Sequence, residues 1–168
     1  EGGGALITQA IHTIDLIQWF MGGAASVYGQ IKTAFHDIKT EDLGLALVEY
    51  KNGALGVIEG STAVAPGFKE RIELHGEKGT IVFEGGNIKE WKVAGQQESH
   101  YVAAEKVSYG DTNSPAISHV NHKAQLEEIL QAFLRNEEPL VNGEEGLKSL
   151  EIVNAVYLSA KSGRKITL

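Results

Sequence analysis

Between Ser26 and Val93 the chain is cut into short β-rich runs separated by turn signals, and this pattern restricts it to folds built on antiparallel pairing. The runs are Ser26 to Ala34, Leu43 to Tyr50, Ala54 to Thr62, Glu70 to His75, Thr80 to Phe83 and Ile88 to Val93. Asn52-Gly53 is the strongest hairpin signal, because both residues tolerate the positive φ of a two-residue turn. Gly76-Glu77-Lys78-Gly79 and Gly85-Gly86 close the next two connections, so the segment reads as an antiparallel meander. In Glu70 to His75, Ile72 and Leu74 point one way and Arg71, Glu73 and His75 the other, which gives one buried face. Leu43 to Tyr50 differs. Leu43, Leu45 and Leu47 face one side and Ala46, Val48 and Tyr50 the other, so both faces need cover: helices on one, a partner sheet on the other.

Helical periods flank this block. From Gly4 to Met21, Leu6, Ala10, Ile14, Ile17 and Met21 recur at spacings of three and four, and Gly22-Gly23 stops the helix. His119 to Arg135 carries Leu126, Ile129, Leu130 and Phe133 on one face; Glu144 to Lys161 carries Leu147, Leu150, Val153, Val156 and Tyr157. Lys165 to Leu168 suits a short closing strand, and Ala94 to Ser118 has no clear period and reads as an irregular excursion. The expected fold is α+β, an open-faced and largely antiparallel β-sheet with helices packed on one face, formed by residues 1–168 as a single domain.

Composition removes several classes of function. Fifteen Lys plus Arg against 22 Asp plus Glu give a net charge of −7, without the basic run that tracks phosphates, so nucleic acid is not an expected partner. No cysteine is present, which excludes disulfide frameworks and thiolate metal sites and is compatible with the reducing cytoplasm. No apolar run approaches the ~20 residues that span a bilayer, and no membrane association is expected.

Chemistry concentrates on the first helix. Thr8, His12, Asp15 and Trp19 fall at i, i+4, i+7 and i+11 and form one stripe. An imidazole is the side chain suited to accept an alcohol proton near neutral pH, and a neighbouring hydroxyl or carboxylate can set its tautomer. Spacing alone equally describes the solvated side of an amphipathic helix. His119 and His122 stand three apart without a third ligand nearby in sequence, and they read as helix-entry polar residues; no metal site is expected. His36, His75 and His100 fall on strand or loop positions without evident partners. Glu127-Glu128, Glu137-Glu138 and Glu144-Glu145 read as helix-surface or first-turn carboxylates. Gly2-Gly3-Gly4 precedes a helix but lacks the third glycine and the leading strand of a dinucleotide fingerprint.

Three separated patterns, in order, carry a family resemblance. They are GGGALITQAIHTIDLIQWFMG with its H-x-x-D, the NGALGVIEGSTAVAPGFKERIELHGEKGTIVFEGGNI hairpins with G-E-K-G-T, and the closing GEEGLKSLEIVNAVYLSAKSGRKITL. Together they resemble the C-terminal domain of the glucose-fructose oxidoreductase/inositol dehydrogenase/MocA family over nearly the whole chain, most thinly at Ala94 to Ser118. The resemblance implies an NAD(P)-dependent oxidoreductase acting on a secondary alcohol of a sugar, cyclitol or related polyol. NAD or NADP is then held by an N-terminal Rossmann domain absent from this chain, with no cofactor bound to the fragment, which is inactive alone. It implies that His12 matches the family's proton-transfer histidine, while no residue here matches the lysine of the Rossmann half. Many members carry aspartate where this chain has Thr8, and a hydroxyl there hydrogen-bonds substrate or imidazole without supplying charge. Asp15 matches the H-x-x-D aspartate and is expected to orient the helix or its neighbour. Thr8 and Phe68, the latter in the Ala63 to Lys69 loop, are the expected substrate contacts. A homo-oligomer through the open sheet face is expected. The competing reading is a non-catalytic binding or dimerisation module on the same fold.

Overall fold

The protein is described by a computed structural model that covers residues 2–96 and 120–168. Its elements run as a π-helical turn Leu6–Ala10, α1 Ile11–Met21, β1 Ala24–Lys32, β2 Leu43–Tyr50, β3 Leu55–Ser61, β4 Arg71–Gly76, β5 Gly79–Glu84, β6 Asn87–Val93, α2 Val120–Arg135, α3 Gly143–Ser162 and β7 Ile166–Thr167. Each run and each helix read from sequence is present, with ends displaced by a residue or two. The meander, however, divides. One antiparallel sheet has the order β3-β2-β1-β7 and a second has β4-β5-β6. The break falls at 62–70, where Pro66 has no N–H to give to a ladder. Two compact units result: residues 2–65 with Pro139–Leu168, and the described residues of Pro66–Glu138. The irregular stretch from residue 97 on, His100 and His119 lie outside the described residues.

In the first unit the hairpin closes through three residues, Lys51, Asn52 and Gly53, between the hydrogen-bonded Tyr50 and Ala54, rather than through the two-residue turn expected, because Asn52 does not take positive φ. Gly53 adopts φ 85°, its N–H bonds the Tyr50 carbonyl at 2.9 Å, and Asn52 Oδ1 accepts the Ala54 N–H at 3.0 Å. Val27, Ala46, Val48, Tyr50 and Ile58 line the covered face, beneath Leu6, Ile14, Ile152, Val153 and Val156 from the helices. The opposite face carries Tyr28, Leu45, Leu47, Leu55 and Val57 in the open; Leu47 keeps 60%, Leu55 81% and Val57 76% of its surface exposed. Registers Tyr28↔Leu47 and Leu47↔Val57 place three of them in one row. The two-sided apolar character of β2 is therefore real, and among the described residues only one side is covered.

Helix α3 is fixed at both ends. Asn142 caps it by accepting the Glu145 N–H at 3.1 Å, Glu144 and Glu145 complement its N-terminal dipole, and Gly163 ends it at φ 68°. Ser159 Oγ accepts the Gly29 N–H at 2.9 Å and donates to the Arg164 carbonyl at 2.6 Å. Strand β7 pairs with β1 only at Ser26 and Val27, so Ser159 supplies the acceptor that a longer strand would have given Gly29. The helix also sits close: a Cβ at Gly29 would lie 2.7 Å from Val156 Cγ1, 3.3 Å from Val156 Cα and 3.2 Å from the Leu45 carbonyl oxygen.

In the second unit, Gly85 and Gly86 both take positive φ, 58° and 76°, between the paired residues Glu84 and Asn87, as a two-residue type I′ turn requires. Ile72 and Val82 are buried, and Arg71 bridges Glu73 and Glu84 on the solvent side. Glu70 is the exception to good pairing. Its Oε2 is buried without a hydrogen-bond partner among the described residues. Desolvation raises its carboxyl above the ordinary glutamate range, the Glu84 charge adds to this, and the Gly86 N–H and Lys69 oppose it. Among the described residues no helix is long and apolar enough to cross a membrane.

Two outcomes are expected. Gly29→Ala forces Val156 and the strand apart and should cost about 1–3 kcal/mol of stability by denaturant titration, the usual penalty of overpacking. A parent-like midpoint would show that the seam has room. For Glu70, a raised folded-state pKa means that its stabilising contribution is present below the unfolded value and is lost as pH rises through the folded one. Glu70→Gln should therefore raise the melting temperature near neutral pH, with a gain that shrinks on acidification; a pH-independent difference would contradict this.

Candidate functional site

The residues of the predicted stripe sit on one continuous helical segment whose first turn is unusual. Leu6–Ala10 is π-helical, and Ile11–Met21 continues as α-helix. In an α-helix the four-residue repeat Leu6, Ala10, Ile14 drifts by about 40° at each step. A π turn, bonding i to i+5, holds more residues per turn and removes that drift. Leu6 and Ile14 are both fully buried, with Ala10, Ile17 and Met21 packed against the same core. The sheet accommodates the turn with glycine. A Cβ at Gly44 would lie 2.6 Å from Leu6 Cδ1, and one at Gly60 would lie 2.8 Å from the Ala10 Cβ; the two glycines are register partners. Gly22, at φ 77°, ends α1 and lets the Gly23 N–H bond the Gln18 carbonyl at 2.9 Å.

His12 is exposed and makes no hydrogen bond or ion pair among the described residues. Asp15 is half-buried and likewise unbonded, while Trp19 keeps 68% of its surface and meets Phe20 at 5.4 Å between ring centroids. The Thr8 hydroxyl donates to the Gly4 carbonyl at 2.8 Å, which leaves its lone pairs to accept. The stripe is thus a shared surface of the helix rather than a hydrogen-bonded relay. Phe68 belongs to the second unit, where it stands 81% exposed on the 62–70 loop.

Sequence reading missed the groups that hold this helix. Glu41 and Asp42 directly precede β2, and both are buried. The Glu41 backbone carbonyl accepts the Ala5 N–H at 2.9 Å, and its Oε1 accepts the Leu6 N–H at 3.0 Å and the Tyr157 hydroxyl at 2.9 Å. Burial and the adjacent Glu41 carboxylate push the Tyr157 hydroxyl well above its usual range. Asp42 accepts N–H bonds from Ala34 at 2.6 Å and from Phe35 and His36 at 2.8 Å each, and lies 3.2 Å from His36 Nδ1; these donors hold its carboxyl well below the usual range. The only signal was an acidic pair set directly against an apolar strand. His36 and His75 also need correction, since both have partners: Asp42 for His36, and Thr80 and Glu73, each at 3.2 Å, for His75. Glu41, Tyr157, Gly3, Gly4, Lys32 and Lys39 line an open cavity of about 530 Å³, to which His12 does not contribute.

No group of three or more His, Asp or Glu among the described residues is placed to hold a metal ion. The helix N-terminus is equally unsuited to a dinucleotide pyrophosphate, because its leading N–H groups already bond Glu41 and the Glu41 carboxylate occupies the space beside Gly4.

Comparison with known proteins places these features. A family model described as "Oxidoreductase family, C-terminal alpha/beta domain" matches residues 1–168. Myo-inositol 2-dehydrogenase of Thermotoga maritima is 28% identical, over 99% of this chain and 49% of that protein. D-apiose dehydrogenase of Rhizobium rhizogenes is 26% identical, over 94% of this chain and 47% of its own length. The WlbA dehydrogenase from Bordetella pertussis, solved with NADH and UDP-GlcNAcA, is 30% identical and superimposes with a TM-score of 0.78, over 99% of this chain and 46% of that one. The chain spans about half the length of the curated relatives it matches.

Proposed function

Because this chain belongs to the glucose-fructose oxidoreductase/inositol dehydrogenase/MocA oxidoreductase family, as its C-terminal alpha/beta domain, we propose that it is the substrate-binding and oligomerisation domain of an NAD(P)-dependent dehydrogenase. The substrate is a secondary alcohol of a sugar, cyclitol or related polyol. The names of its relatives support that class, as do the NADH-bound and NAD-bound neighbours for the cofactor. The cofactor supplies hydride acceptance; its binding is assigned to a Rossmann domain outside residues 1–168, and the start of the His12 helix does not compete for it because its leading N–H groups bond Glu41.

The observation that carries the reading is His12: an exposed imidazole, unbonded among the described residues, on a helix whose opposite face is locked into the core. Such a group is free to take the alcohol proton at a ring nitrogen, while Thr8 accepts a substrate hydroxyl and Asp15, unbonded among the described residues, keeps its carboxylate available to orient a neighbouring group. The non-catalytic alternative draws on Thr8, whose hydroxyl is spent on Gly4 and supplies no charge. The exposed row of Tyr28, Leu47 and Val57, flanked by Leu45 and Leu55, supports a second copy as its cover.

His12→Ala in the full-length protein, assayed with NAD+ and a polyol panel that includes myo-inositol, should lower kcat by ~10²–10⁴, the usual size of a general-base contribution. Its melting temperature should stay near the parent's, because an exposed side chain gives up little packing. A folded variant with kcat within about threefold of the parent would make His12 a surface or structural histidine, and a parent that turns over no polyol of the panel would favour the non-catalytic module. For assembly, sedimentation at micromolar concentration should show at least a dimer, and Leu47→Asp should shift it to monomer while leaving the far-ultraviolet spectrum unchanged. A monomeric parent removes the oligomerisation role.

A further inference from the structure

The leading N–H groups of a helix have no partner within it; here the first internal bond runs from the Thr8 N–H to the Gly4 carbonyl at 3.1 Å, so Ala5, Leu6 and Ile7 need acceptors from elsewhere. Here they are satisfied from outside. Ala5 donates to the Glu41 backbone carbonyl at 2.9 Å and Leu6 to Glu41 Oε1 at 3.0 Å. The Ile7 N–H faces the Tyr157 oxygen, and the Tyr157 hydroxyl donates in turn to Glu41 Oε1 at 2.9 Å. Two consecutive N–H groups are thereby held by Glu41, just before β2, one through its backbone carbonyl and one through its carboxylate, and the third faces the phenol of Tyr157 in α3. Glu41 is buried, and its negative charge stands at the positive end of the helix dipole. Gly4 is bare because a Cβ there would collide with this carboxylate. Beneath the turn, Leu6 and Ala10 rest on Gly44 and Gly60. The segment is therefore fixed from its end and from below, and His12, within two turns of the clamp, is left free only on its outer side.

We propose that Glu41, acting with Tyr157, is a positioning residue for His12: it fixes the rotation and height of the helix and thereby sets where the imidazole meets the substrate alcohol. This rests on the reading of His12 given above. What the clamp requires is an acceptor at the Oε1 position. Gln supplies one and Ala does not, so Glu41→Gln should preserve the geometry that Glu41→Ala loses.

The test uses the full-length protein with Glu41→Gln, Glu41→Ala, Tyr157→Phe and His12→Ala. The readouts are kcat and KM with NAD+ and myo-inositol, amide exchange over residues 5–8, and the His12 ring signal in NMR spectra. Glu41→Gln should keep kcat within about threefold of the parent, with parent-like exchange and ring signal. Glu41→Ala should lower kcat by about tenfold or more with KM for NAD+ unchanged, raise exchange at Leu6 and Ile7 by about tenfold, and move the His12 signal; Tyr157→Phe should do the same to a smaller degree. A folded Glu41→Ala protein with parent-like kcat and His12 signal overturns the proposal, as does Glu41→Gln falling as far as Glu41→Ala. If Glu41→Ala does not fold, Tyr157→Phe decides, and an unchanged exchange rate at Ile7 with an unchanged ring signal overturns it. Exchange and ring signal need no turnover, so they decide even if myo-inositol is not a substrate. Parent-like activity in His12→Ala alone strikes the functional reading and leaves the clamp to those two measurements.

Discussion

The first unit depends on how closely its helices lie on the sheet. Gly29, Gly44 and Gly60, one on each of three adjacent strands, leave room where Val156, Leu6 and Ala10 press down. At these separations a methyl group would fall inside van der Waals contact with side-chain carbon at all three positions, and with backbone atoms as well at Gly29. The helices are thus seated on the strands' own backbone. Much else follows from that seating. Ser159 can reach the Gly29 N–H only because α3 is this close, and the π turn over Gly44 and Gly60 keeps Leu6 and Ile14 on one buried line.

Two neighbouring acidic residues carry the polar half of the same arrangement. Glu41 turns toward the helix start and Asp42 toward residues 34–36, so one short stretch of chain fixes both the His12 helix and the loop between β1 and β2. Buried carboxylates are tolerated when their lone pairs are filled by directed donors, and here backbone N–H groups do most of that work. Glu70, in the other unit, shows the opposite condition: a carboxylate oxygen buried without a donor, with its carboxyl correspondingly raised. For Asp42 and Glu70 the opposite directions of the carboxyl pKa follow from the donors each one has or lacks.

What faces outward is as informative as the core. On one side of β2 the apolar side chains are sealed beneath helices, and on the other Leu45 and Leu47 stand in the open beside Tyr28 and Val57. On α1 the buried Ile14 and Gln18 and the exposed His12 and Trp19 share a few turns. One element holds the fold with its inner face and offers its chemistry on the other, so removing an outer residue need not disturb the inner packing.

By itself the sequence determined the type and approximate limits of every described element except the π turn Leu6–Ala10, together with the hairpin at Asn52-Gly53, the stops at Gly22 and Gly163, the two apolar faces of β2 and the helix that carries His12. These are local matters, decided by periods of two or 3.6 and by which residues tolerate positive φ. Only the tertiary structure decided that the meander divides into two sheets and that Glu41 and Asp42 are buried; the partners of Thr8, His36 and His75 lie within six residues in sequence, but a hydrophobic period does not report them. The Glu41 clamp joins residues 35 and 116 positions apart. A hydrophobic period reports that a face will be buried and says nothing about which distant donor meets which acceptor, because that pairing exists only once the chain has closed around it.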